Sequence, residues 1–118
     1  MQLADQGFLR DALAFCADMQ IRFATAQVEA GAHAIWLGDC NASTHLISPA
    51  AYRQYALPEA RRVVQAIQAA GGLVICHNSE EKPAGLQAQA EQGVDVLSVG
   101  PGLDLAEARK AVGDRVCL

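Results

Sequence analysis

Aromatic side chains are scarce in this chain: one Trp, two Tyr and three Phe make up 5% of its 118 residues. A core must therefore be built from Ala, Val, Leu and Ile, small side chains that suit helices packed closely on a sheet. Basic clusters are missing too. The nine Lys and Arg are scattered, Arg61-Arg62 is the only adjacent Arg pair, and net charge is −4. Phosphate contacts need clustered cations, so the composition argues against a nucleic-acid partner, and the Arg pair reads as a solvated helix face. No apolar run approaches the ~20 residues needed to span a bilayer. The N-terminal stretch MQLADQGFLRD carries acids early and lacks the apolar h-region of a signal peptide. The cytoplasm, where thiols stay reduced, is the expected compartment, with no membrane partner. Cys16, Cys40, Cys76 and Cys117 show no CxxC spacing and are expected as buried, reduced thiols. P-loop, GxGxxG, HExxH and GxSxG motifs are all missing.

What the chain does have is a repeat. Four segments, VEAGAHAIWLGD, QAAGGLVICHN, AEQGVDVLSVG and KAVGDRVCL, each run from a helix end through glycine into a short apolar stretch. Glycine just past a helix enters the left-handed region without Cβ strain, which predicts helix ends at Gly31, Gly71-Gly72, Gly93 and Gly113. The apolar runs at 34–37, 73–76, 94–99 and 116–118 are continuous rather than alternating. Such runs fit strands covered on both faces, as in parallel sheets.

Helices are expected between them. From about Asp5 to Ala30, Ala12, Phe15, Cys16, Met19, Phe23 and Ala26 form one apolar stripe. The second helix opens at Ser48-Pro49 and runs to about Ala70, with a kink at Pro58. A third begins near Ser79, and the fourth carries a capping box of Asp104 and Glu107. Parallel strands alternating with helices imply right-handed crossovers, in a barrel or in an open doubly wound sheet. At roughly 30 residues per βα unit, the chain holds about four units in a single domain, 1–118, with sheet edges left open for a partner.

Sites in parallel α/β folds gather where strands end and βα loops begin. Just past the apolar runs lie Gly38, Asp39, Cys40 and Asn41, then His77, Asn78 and Ser79, then Ser98 and Gly100. His77 suits metal ligation or acid–base work, and Asp39 suits ligand ordering or proton transfer. Cys76 is expected to point away from His77, because adjacent strand residues face opposite ways. His33 falls in a helix-to-strand turn at the far end, His45 in the loop NASTHLISP, and Trp36 inside a strand, where core packing is expected.

The stretches AQVEAGAHAIWLGDCNAS, LISPAAYRQYALPEARRVVQAIQAAGGLVICHN, GVDVLSVG and DLAEARKAVGDRVCL resemble the C-terminal half of the uroporphyrinogen decarboxylase superfamily. That resemblance implies about half of a (β/α)8 barrel, with these strands as its fifth to eighth. GDCNAS and ICHNS look like the methylcobamide:coenzyme M methyltransferase branch, which binds zinc through a His-x-Cys motif and a later Cys. Carried over, the metal histidine is His77, Ser79 stands where the cysteine belongs, and Cys40 is the possible substitute. The strand-end layer itself makes Asp39 and His77 the candidate catalytic residues, with Asn41, Asn78 and Ser98 as candidate contacts to a small-molecule ligand. Three functions follow as expectations. One is a half-barrel enzyme, completed as a homodimer or by another half-barrel. Another is a non-catalytic binding module or truncated vestigial product. The last is a piece of a uroporphyrinogen decarboxylase from porphyrin biosynthesis.

Overall fold

A computed structural model describes residues 5–118. Helix α1 (Gln6–Glu29) leads into strand β1 (Ala34–Gly38). A short helix α2 (Pro49–Ala51) and helix α3 (Leu57–Ala69) precede β2 (Leu73–His77), and α4 (Pro83–Ala90) precedes β3 (Val96–Ser98). Helix α5 (Leu105–Val112) follows. The three strands form one parallel sheet in the order β1-β2-β3. Gly31, Gly71, Gly93 and Gly113 all have positive φ, as the repeat predicts. After α1 the amide of Gly31 donates to Val28 and that of Ala32 to Gln27, which closes the helix and turns the chain into β1.

Sequence reasoning expected a fourth strand at 116–118. Only an isolated parallel bridge forms there, between Val96 and Cys117. The Leu97 amide donates to the Cys117 carbonyl at 2.8 Å, and the Cys117 amide donates to Asp95 at 3.0 Å. The segment lies in the sheet direction beyond β3 but contributes a single paired residue, too little for a ladder.

The helix signals divide in the same way. Ser48 caps α2, its Oγ accepting the Ala51 amide, and Asp104 caps α5 by accepting the Glu107 amide. The reciprocal half of that capping box is replaced by a Glu107–Lys110 pair. Pro58 cannot donate to the carbonyl four residues back, and the helix answers with a π-type segment at Tyr52–Ala56 just ahead of it. Helix α4 begins four residues later than expected, because Glu80 takes the amides of Glu81 and Lys82 on its own carboxylate.

Helices cover one face of the sheet. Ile35, Val74, Cys76 and Leu97 point into that layer and meet Val63, Val64 and Ile67 of α3, Leu86 of α4 and Val112 of α5. Helix α1 contributes Ala17 and Ala24, with Ile21 and Val28 beside them. This corrects the expected stripe: Phe15, Met19 and Phe23 are 71%, 57% and 71% exposed. Both sides of α1 are apolar, so periodicity alone could not select the buried one; small side chains won because they let the helix pack closely on α3 and the edge strand β1. Arg61 and Arg62 are also more than a solvated face. Arg62 pairs with Asp18 of α1 and with Glu59, and Arg61 donates to the Glu91 carbonyl.

Leu97 is fully enclosed at the centre of this layer. Leu97→Ala is expected to cost roughly 2–5 kcal/mol by loss of transfer energy and by cavity formation. Denaturant unfolding would check this through a lower midpoint at unchanged slope.

Candidate functional site

Pairing register places Gly38, His77 and Ser98 side by side at the C-terminal ends of the three strands. Because strand residues alternate in direction, Trp36 and Gly38, Ile75 and His77, and Val96 and Ser98 share the face that the helices leave uncovered. There the ring nitrogen Nδ1 of His77 lies 2.9 Å from Ser98 Oγ. The Trp36 indole stacks on the imidazole, with ring centroids 5.8 Å apart and planes 18° apart. A Cβ at residue 38 would come within 2.8 Å of the indole, so glycine there lets Trp36 lie across the strand end. Trp36 was expected in the core; it is 62% exposed and belongs to this face.

The arrangement fixes one edge of His77 and leaves its Nε2 without a hydrogen-bond partner among the described residues. If Ser98 donates to Nδ1, Nε2 carries the proton; if it accepts, Nε2 is a lone-pair acceptor. A hydrogen-bonded, ring-stacked histidine of this kind is oriented for proton exchange.

The other predicted residues do not all join it. Asp39 lies one residue past β1, on the side shared with Leu37 and Cys76 rather than with His77. It lines a groove of about 630 Å³ between α1, β1 and α3, together with Cys76, Gln92, Phe23 and Trp36. No donor among the described residues reaches its carboxylate, and burial pushes its pKa up to about 6. Asn78 is fully enclosed; its Oδ1 accepts the Glu80 amide, so it shapes the loop turn. Its Nδ2 has no partner among the described residues. Asn41 and Cys40 lie exposed on the first βα loop, and the Ser79 carbonyl approaches Gly100.

The cysteines correct another expectation. Only Cys76 is buried, on the face away from His77 as alternation requires, while Cys16, Cys40 and Cys117 are exposed; all four are free. Burial, with the nearby Asp39 charge, pushes the Cys76 thiol up to about 12, which leaves it a poor nucleophile. His45 is exposed and 3.9 Å from Glu81. His33 is exposed in its turn, where its carbonyl accepts the Leu73 amide.

A zinc site built on His77 does not fit these donors. No group of three His, Cys, Asp or Glu side chains converges among the described residues. Ser79 is a hard, neutral oxygen, and the adjacent thiol of Cys76 faces the other way.

Sequence reasoning missed Glu80 entirely. It is fully enclosed and accepts four hydrogen bonds: from the Thr44 amide at 2.8 Å, the Thr44 hydroxyl at 2.7 Å, the Glu81 amide at 2.9 Å and the Lys82 amide at 2.8 Å. Burial alone would raise its pKa; the Thr44, Lys82 and Glu81 donors together hold it below the usual carboxylate range. A charged pair of residues, EE, looks solvated in sequence, and nothing local points to Thr44.

No helix among the described residues is long and apolar enough to cross a membrane. The chain is 39% identical over 97 residues to a uroporphyrinogen decarboxylase from Chlorobium luteolum, covering 81% of the chain and 27% of that protein. It is 35% identical over 96 residues to the methylcobamide:CoM methyltransferase MtbA of Methanosarcina mazei, covering 81% of the chain and 28% of that protein. A solved methyltransferase from Methanosarcina mazei superposes with a TM-score of 0.82 at 26% identity, over 91% of this chain and 31% of that one. The chain thus spans roughly 27–31% of the length of these relatives. Its parallel three-stranded α/β fold is consistent with part of a TIM-barrel-like fold. The uroporphyrinogen decarboxylase (URO-D) family model matches residues 1–118, and the chain belongs to that family.

Proposed function

We propose that this chain forms βα units of a uroporphyrinogen decarboxylase-like barrel, related to the corrinoid-linked methyltransferases. Its mouth would bind a small molecule through His77, oriented by Ser98 and covered by Trp36. The carrying observation is the His77–Ser98 contact under the indole, at matched register on the uncovered face. In this reading His77 is the acid–base group and exposed Asn41 a ligand contact. Asp39, which shares the groove with Cys76, acts apart from them.

The reading also needs something to cover the inner face, and we assign a second copy of the chain to that place. Trp36 and Leu73 are 62% and 55% exposed there, and Phe23 of α1 continues the apolar surface around the β1 edge. One rim of the sheet is β1 and the other is the Val116–Leu118 segment, both running in one direction. Pairing the β1 of each copy with the last segment of the other would close eight segments into a ring, the strand count of this barrel type.

Ligand binding is testable through the single tryptophan. Coenzyme M, and separately uroporphyrin, would be titrated against Trp36 emission. One of the two is expected to quench saturably, with affinity at least about tenfold weaker in His77→Ala. Saturable quenching without methyl transfer or decarboxylation would favour the non-catalytic binding module. No saturable response to either compound, or an equal response in His77→Ala, contradicts the assignment of His77.

A further inference from the structure

We propose that Glu80 is a positioning residue that pins the first βα loop of the mouth to the second. Thr44 lies 36 residues away in sequence, yet both its amide and its hydroxyl donate to the Glu80 carboxylate. The same carboxylate holds the amides of Glu81 and Lys82, so one side chain organises backbone from both loops. Charged acceptors make stronger hydrogen bonds than neutral ones, and a fully enclosed carboxylate tolerates burial only when its lone pairs are taken up.

The surroundings are shaped for this pin. A Cβ on Gly85 would come within 2.0 Å of Glu80 Oε2 and 2.6 Å of the Thr44 methyl, so α4 must carry glycine where the carboxylate passes. A second tie runs parallel to it: buried Gln89 of α4 donates from Nε2 to the Ala42 carbonyl at 3.1 Å. Ala42, Tyr52, Leu57 and Ala88 pack as a small apolar cluster that includes the first loop. That loop carries Cys40 and Asn41 beside the strand-end layer. Its place at the mouth is therefore tied to α4 and the second loop, beyond the turns it makes within itself.

Residue-resolved amide exchange tests the pin. In Glu80→Gln the amide group can no longer accept from donors on both sides. Protection at Thr44, Glu81 and Lys82 is expected to fall by about tenfold or more. The sheet amides of Leu73, which donates to His33, and Leu97, which donates to Cys117, should keep theirs. Gly85→Ala, which keeps Glu80 but obstructs its carboxylate, should give the same selective pattern, and it serves as the reading if Glu80→Gln does not fold. Unchanged protection at Thr44, or an equal loss at Leu73 and Leu97, would overturn the proposal.

Discussion

Trp36→Glu is expected to leave the chain folded and to weaken its self-association by at least about a hundredfold, the effect of losing a central interface aromatic. In the isolated chain the indole stacks on His77 and lies across Gly38, and it is 62% exposed. Folding stability should accordingly change by no more than about 1 kcal/mol, the worth of one aromatic contact. In a closed ring the same position faces the interior, where an unpaired carboxylate is costly. Sedimentation equilibrium of both proteins would read this directly. Native chain at twice the monomer mass, with the variant at monomer mass, supports the second-copy assignment. Equal masses for the two contradict it.

Asp39→Asn is expected to stabilise the protein at neutral pH. The native carboxyl is half-buried without a donor among the described residues, and burial raises its pKa from 3.8 to about 6. Between those values the unfolded chain is ionised while the native chain keeps its proton. The native state then binds more protons, so stability falls as pH rises through this window and levels off above it. Removing the charge should recover about 1–3 kcal/mol at pH 7 and almost nothing at pH 4, by the usual conversion of pKa shift to free energy. Urea unfolding of both proteins at the two pH values checks the sign. A destabilised variant at pH 7 would mean that the carboxylate has a partner this account omits. An acid kept under such strain beside a groove is a common feature of functional sites, so stabilisation with loss of ligand response would tie Asp39 to function.

Much of the fold was legible because its signals are local. Glycine after a helix needs only the left-handed backbone at that position, and all four turns fell where the glycines stand. Caps at Ser48 and Asp104 are equally local. The site layer was legible through alternation, which separated Cys76 from His77 and aligned Ser98 with the latter. Three things required the third dimension. The buried side of α1 depended on which of two apolar stripes could pack on α3 and β1. Trp36 looked like core because a parallel strand is ordinarily covered on both faces, and here one face is open. Glu80 and Thr44 meet only because two loops converge, and no spacing rule links residues 36 positions apart.

The central claim is that the face carrying Trp36, Leu73, His77 and Ser98 is an inner surface. The emission and acrylamide quenching of Trp36, the chain's only tryptophan, followed from nanomolar to high micromolar protein, test it most directly. A blue-shifted, quencher-protected indole is expected at high concentration, becoming red-shifted and accessible on dilution in step with the change in mass. A tryptophan fully accessible at every concentration would contradict it.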